Sequence, residues 1–271
     1  RYDCTRYFLT KNHLKQNTTC NKCGQSKKDL GFFNKYYTES YIKSFFINIY
    51  GKKYFKILSN SDIDIIVLTN FHKKYLVNLG IDKEKISVLP NQINFNSEFI
   101  NYPSENYLVY AGRISNEKGV QELIESFLDS NSSILELKII GTGPMLEELK
   151  NRFRSQKISF LGEKPNEEVL KIISKSKGVV TATKLFEGQP TLLCEASSFG
   201  IVSIFPDTGG IKEFFPNSYK YCFEQGNSKD FSQKIKMLEN NLKIKEQGSK
   251  NRLFLENLIK EYNLVEFFDS R

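Results

Sequence analysis

The feature that most constrains this chain is a rhythm running from about residue 105 to 250, in which short apolar runs alternate with helical patterns. Tyr107-Leu-Val-Tyr-Ala-Gly112 leads through Arg113-Ile-Ser-Asn-Glu-Lys118-Gly119 to Val120, Leu123, Ile124, Phe127 and Leu128, which recur at helical spacing. Residues 135–140 repeat the layout, followed by Gly141-Thr-Gly143-Pro144 and then Met145, Leu146 and Leu149. Residues 157–161, 178–183, 201–205 and 219–223 continue the series of strand-like runs. Such alternation predicts an α/β fold with a parallel, doubly wound sheet. Its crossovers are right-handed, so the loops that follow the strands fall on one edge.

One of those loops stands out. Glu187-Gly-Gln-Pro-Thr-Leu-Leu-Cys-Glu195 sets two acids eight residues apart across a Gly-x-Pro turn and the start of an apolar helix, with Pro190 at its first position. Open α/β sheets bind ligands at the C-terminal ends of their strands. Helix-start N–H groups are unpaired and carry partial positive charge, so they can hold a diphosphate. Glu187 would lie beside the ligand, and Glu195 could accept hydrogen bonds from a diol such as ribose. Arg113 and Lys118 sit in a loop at the same edge, where a guanidinium fork and an ammonium suit two phosphates and offset charge on a leaving diphosphate. A lone Glu pair is commonly just a solvated loop acid and a helix surface charge. Gly141-x-Gly143 by itself means no more than a tight turn. Three such loops in succession are harder to dismiss.

Taken in order, Gly112-Arg113 with Lys118-Gly119, Gly141-x-Gly143-Pro144, Phe160-Leu-Gly162, Glu187-Gly188-x-Pro190 with Glu195-Ala196, and Gly209-Gly210 before an acid resemble glycosyltransferase family 4, the retaining nucleotide-sugar-dependent transferases of GT-B fold. The resemblance implies a Rossmann-like donor lobe over residues 101–251, preceded by a partial acceptor-side lobe with linker over 1–100, and a terminal helix over 252–271 that returns to the first lobe. Arg113 and Lys118 would bind the donor diphosphate. Glu187 and the backbone through Gly188, Gln189, Pro190, Thr191 and Leu192 would hold the sugar and phosphate, and Glu195 the ribose. Gly112, Gly141 and Gly143 complete the expected donor site. Glu187, Arg113 and Lys118 are the expected catalytic residues.

Two lobes of this kind need more than 271 residues. The stretch from Ile65 to Asn91 resembles the last unit of the first lobe and the linker, so part of that lobe is expected to be missing; the start at Arg1 fits this. The family's catalytic-loop histidine has no match, since His13 and His72, the two histidines, read as surface or loop residues. Gln92 stands where the family usually has glycine.

Charge is lopsided. Residues 1–100 hold 16 Lys and Arg against 8 Asp and Glu, while the rest balance at 23 of each. A basic acceptor-side lobe suits a lipid-phosphate-linked acceptor or an anionic membrane surface. Over residues 36–58, Phe45, Phe46, Ile49 and Tyr50 interleave with Lys43, Lys52, Lys53 and Lys56 as in an interfacial helix, or equally as in a packed helix with a solvated basic face. No nucleic-acid signature accompanies the charge. No run of eighteen apolar residues and no signal peptide appear, so a cytoplasmic protein, peripheral on the inner membrane face, is expected.

Five cysteines suit a reduced compartment. Cys194 and Cys222 read as core residues. Cys20-x-x-Cys23 with Cys4 could hold structural zinc given a fourth ligand, although its usual matching pair is absent. No catalytic metal or other cofactor is expected: Asp62-Ile-Asp64 has a metal-acid spelling but precedes its strand, and Arg113 and Lys118 already supply positive charge. The expected activity is retaining transfer of a sugar from a nucleoside diphosphate sugar to a polysaccharide or lipid-linked oligosaccharide. The alternatives are a nucleotide-sugar 2-epimerase of similar fold, or a donor-binding module without turnover.

Overall fold

The computed structural model describes residues 46, 50, 53–54, 56–78, 80–95 and 104–262. The chain divides into two compact units, Arg1–Leu89 and Pro90–Arg271.

In the first unit, β1 (Ile65–Val67) and β2 (Ile86–Val88) pair in parallel around α1 (Asn70–Asn78). Thr69 starts the helix, its Oγ1 accepting the His72 N–H at 3.2 Å, so His72 lies in the first turn of α1 and not in a loop. Asp62 is taken up by Lys85 at 3.2 Å. Upstream, the described residues 46, 50, 53–54 and 56–60 are helical, and Phe46, Tyr50, Tyr54 and Ile57 are exposed. The other residues of the basic aromatic stretch lie outside the described residues. So do Cys4, Cys20, Cys23 and His13.

The second unit is built on six parallel strands. They are β3 (Tyr107–Ala111), β4 (Glu136–Ile140), β5 (Ile158–Gly162), β6 (Gly178–Val180), β7 (Ser203–Pro206) and β8 (Cys222–Phe223), in the order β5-β4-β3-β6-β7-β8. Between them run α2 (Val120–Asp129), α3 (Leu146–Arg152), α4 (Asn166–Lys175) and α5 (Thr191–Ser198), and after β8 come α6 (Ser228–Glu239) and α7 (Ile244–Lys260). The chain starts mid-sheet at β3, moves outward through β4 and β5, then crosses back to lay β6 on the other side of β3. Residues Leu108 and Val109 pair with both neighbours. The strand order therefore reverses between β3 and β6, the place at which open α/β sheets form the crevice that binds ligands.

Side chains that alternate along β3 enter two separate cores. Leu108 and Tyr110 pack with Val120, Leu123, Ile124 and Phe127 of α2 and with Phe231, Ile235 and Leu238 of α6. Tyr107 and Val109 pack with Ile173 of α4, Leu193, Cys194 and Ala196 of α5, and Leu255 and Ile259 of α7. Ile93 and Phe95, placed by sequence with the preceding lobe and linker, pack on this second core.

Three local readings change. The final strand is shorter than 219–223 because Tyr219 turns its hydroxyl to the edge of β7, donating to Ser203 O and accepting from Ser203 N, each at 2.8 Å. Pro190 is the N-cap of α5, not its first helical residue. The last helix begins at Ile244, ahead of 252, and Asn251 Nδ2 bonds Ser197 Oγ of α5. Residues 263–271 lie outside the described residues.

Candidate functional site

The crevice between β3 and β6 is bordered by residues 112–119 after β3 and 181–190 after β6. The first loop is held from below by Tyr110, whose hydroxyl donates to Arg113 O at 2.8 Å. Burial, with Glu187 and Glu117 nearby, pushes that phenol well above its ordinary value, so it stays protonated and able to donate. The β4–α3 loop braces the same segment. Ile114 N–H reaches Thr142 O at 2.8 Å, between Gly141 and Gly143, and Met145 N–H reaches Ile114 O at 3.2 Å. Gly112 and Arg113 are exposed above this support.

At Gly119 the chain turns into α2 with φ +65, and a Cβ there would lie 2.0 Å from Ala182 O. Only glycine allows the two loops so close. The approach is fastened by Lys184, whose N–H bonds Glu117 O at 3.0 Å and whose ammonium reaches Asn116 Oδ1 at 2.6 Å and Glu122 at 2.5 Å. With the loops so joined, Lys118 Nζ meets Glu187 Oε1 at 2.6 Å. The two side chains are 32% and 27% exposed, so the pair is partly desolvated yet still open to an entering ligand. Thr183 Oγ1 donates to the same Glu187 oxygen at 3.0 Å. From behind, Gly210 N–H bonds Glu187 O at 2.8 Å, and Gly209, at φ +61, fits where a Cβ would strike Glu187 O at 2.3 Å.

Beyond Gly188, α5 opens with no side-chain cap on its first turn, where Thr191 is exposed and Leu192 half-buried while the Leu193 N–H bonds Pro190 O at 3.0 Å. Glu195 is half-buried on this helix. Burial holds its carboxyl above the ordinary carboxylate range, and the carboxylate has no partner among the described residues. An acid kept in that state without a partner is a common mark of a binding position.

Gln189 does something different from its neighbours. It is buried, its Oε1 accepting Asn91 N–H at 2.6 Å and its Nε2 donating to Asn91 O at 3.0 Å. The amide thus mimics a peptide in a two-bond pair, and its side chain faces the linker segment, away from the crevice. The structure therefore brings Lys118 and Glu187 into contact, keeps Gly112 and Arg113 on the loop that carries Lys118, and sets Gly141 and Gly143 in the supporting loop. Thr183 and Lys184, which sequence reasoning passes over, belong to the same cluster. Their only signal is position after an apolar run. Cys194 is buried and Cys222 half-buried, both as free thiols. Among the described residues no group of three or more His, Cys, Asp or Glu is placed to hold a metal ion.

A family model for glycosyl transferases group 1 matches residues 92–253. The capsular polysaccharide biosynthesis glycosyltransferase CapM of Staphylococcus aureus is 26% identical over 250 residues, which cover 81% of this chain and 65% of CapM. Among solved structures, a TarM mutant of S. aureus in complex with fondaparinux, alpha-GlcNAc-glycerol and UDP aligns with a TM-score of 0.68 at 22% identity, covering 81% of this chain and 45% of TarM. Anabaena Alr3699/HepE, in complex with UDP and glucose, aligns at 0.67 and 13% identity over 81% of this chain and 66% of its own. These likenesses establish the fold class, α/β of GT-B type with a Rossmann-like sheet. The chain spans less than two thirds of the length of each of these proteins.

Proposed function

The chain belongs to the glycosyl transferases of group 1, and from that membership we propose that it binds a nucleoside diphosphate sugar in the β3–β6 crevice and passes the sugar, with retention at the anomeric carbon, to a hydroxyl of a growing polysaccharide or lipid-linked oligosaccharide. The observation that carries this reading is the meeting of Lys118 and Glu187 at 2.6 Å at the point where the strand order reverses. Arg113 and Lys118 take the diphosphate together with the N–H groups that open α5, and they offset charge as the sugar–phosphate bond breaks. Glu187 accepts hydrogen bonds from the sugar hydroxyls and so orients the ring. Glu195 accepts from the ribose diol.

The acceptor hydroxyl attacks from the face the diphosphate leaves, and its proton passes to the departing phosphate oxygen. A same-face attack of this kind needs no strong protein nucleophile. The positive charge the step requires comes from Arg113 and Lys118 themselves. The acceptor class is supported by the kinship with CapM and by the excess of Lys and Arg over residues 1–100, which suits a phosphate-linked acceptor at the cytoplasmic face of a membrane. No helix among the described residues is long and apolar enough to cross a membrane.

Calorimetric titration with UDP, beside an Arg113→Ala variant, tests the reading. Binding that the variant weakens roughly 10- to 100-fold, the loss expected for one charged hydrogen bond, supports it. A folded protein that binds neither UDP nor GDP refutes it.

A further inference from the structure

Lys118 and Glu187 touch each other, yet the donor reading asks each for a different part of the ligand, Lys118 for the diphosphate and Glu187 for the sugar. We propose that their ion pair is a latch: Glu187 holds the place of the diphosphate on Lys118, so that the site takes a bare nucleoside diphosphate weakly and a sugar-bearing one well. This inference rests on the donor reading above and adds a specificity role to Glu187.

The surroundings of Glu187 make the exchange possible. Its backbone cannot withdraw, because Gly210 N–H bonds its carbonyl at 2.8 Å and Gly209 packs directly against it. Its carboxylate has one fixed partner and one movable partner. The fixed one is Thr183, a buried residue whose Oγ1 accepts Leu185 N–H at 3.2 Å, which leaves its hydroxyl hydrogen for Glu187 at 3.0 Å. The movable one is Lys118, at the end of a flexible four-carbon stem.

When a diphosphate draws Lys118 away, Glu187 stays where it is, holds only the Thr183 bond, and faces a second anion across a partly desolvated gap. That arrangement is repulsive. A hexosyl group on the diphosphate reverses the balance, because its hydroxyls donate to the oxygen Lys118 has left. After transfer the sugar is gone, the repulsion returns, and the re-forming pair helps expel the nucleoside diphosphate. One carboxylate thereby favours substrate over product.

The test is a double-mutant cycle read by calorimetry. Wild type, Glu187→Gln, Lys118→Met and the double variant are each titrated with UDP and UMP, and with GDP and GMP. Glu187→Gln is expected to bind the preferred diphosphate roughly three- to tenfold more tightly, from the freed ammonium and the removed like charge, with monophosphate affinity unchanged. The gain should shrink in the Lys118→Met background to the part that comes from the removed like charge. Should Glu187→Gln fail to fold, Glu187→Ala also frees Lys118 and carries the same expected sign. Unchanged or weaker diphosphate binding by the variant overturns the latch, as does an equal gain with monophosphate or without Lys118. Failure of both wild type and Glu187→Gln to bind any diphosphate sinks the donor reading and the latch together, whereas wild-type binding without the gain sinks the latch alone.

Discussion

Replacing Gly119 with alanine probes the joint on which the whole crevice depends. Two costs are superimposed there. The backbone sits at φ +65, a conformation that costs a side chain about 1–2 kcal/mol. A Cβ would also meet Ala182 O at 2.0 Å, Ala182 C at 2.8 Å and Ala182 Cβ at 3.2 Å, two of them backbone atoms that cannot rotate aside. Forcing such an overlap adds about 1–3 kcal/mol. Gly226 supplies the control, since its φ of +81 carries the first cost while nothing lies within 4 Å of the position a Cβ would take. Taking about 3 °C of Tm per kcal/mol for a domain of this size, Gly119→Ala should melt on the order of 10 °C below wild type and Gly226→Ala about 4 °C below. Differential scanning calorimetry at one pH and salt concentration reads both. If the two variants fall by equal amounts, the contact between the loops is not what demands glycine at 119, and the account of how Lys118 reaches Glu187 fails with it.

Two further expectations follow from ionisable groups. Glu195 has its folded-state value raised by burial, so its ionised form costs stability above the unfolded value and that cost fades as pH falls. Glu195→Gln should therefore match or exceed the wild-type Tm at pH 7, lose that advantage below about pH 4, and bind UDP roughly tenfold more weakly; a lower Tm at pH 7 would show that the carboxylate is a structural group. Glu239 behaves oppositely. Desolvation acts to raise its value, but bonds from Ser132 Oγ and the Ile134 and Ser133 N–H groups, with Lys177 nearby, hold it below the ordinary range. Its stabilisation is present above the unfolded value and lost as pH falls through the folded one, so Glu239→Gln should lower Tm at pH 7 and converge with wild type below about pH 4. A constant difference across that range would mean the bonds do not depend on charge.

Much of this architecture is legible in the sequence because the central strands β3, β6 and β7 are buried on both faces and stand out as continuous apolar runs. Five of the six runs in the second unit lie within two residues of the observed strands at their start. The exception, 219–223, misleads because Tyr219 is as apolar as a strand residue while its hydroxyl serves the edge of β7. Arg113, Lys118, Glu187 and Glu195 are legible as a set because each follows a strand at the same sheet edge. Their pairing is not, since the Lys118–Glu187 contact depends on β3 and β6 being neighbours, and strand order is set by long-range packing. Gln189 marks the sharpest limit: its spacing within the Glu-Gly-Gln-Pro turn says nothing of a partner at Asn91.

That same bond divides the freedom to change unevenly between its two ends. Gln189 contributes a side chain, so its identity carries the whole interaction, and a shorter or apolar residue would leave Asn91 N–H and O to find other partners. Position 91 contributes only its peptide, and its side chain is exposed. Nearly any residue can stand there and be gripped equally well, with proline the one that lacks the hydrogen to give. In a lineage of such chains, position 91 is thus open to drift at no cost to the turn that carries Glu187, while position 189 is bound to a long amide.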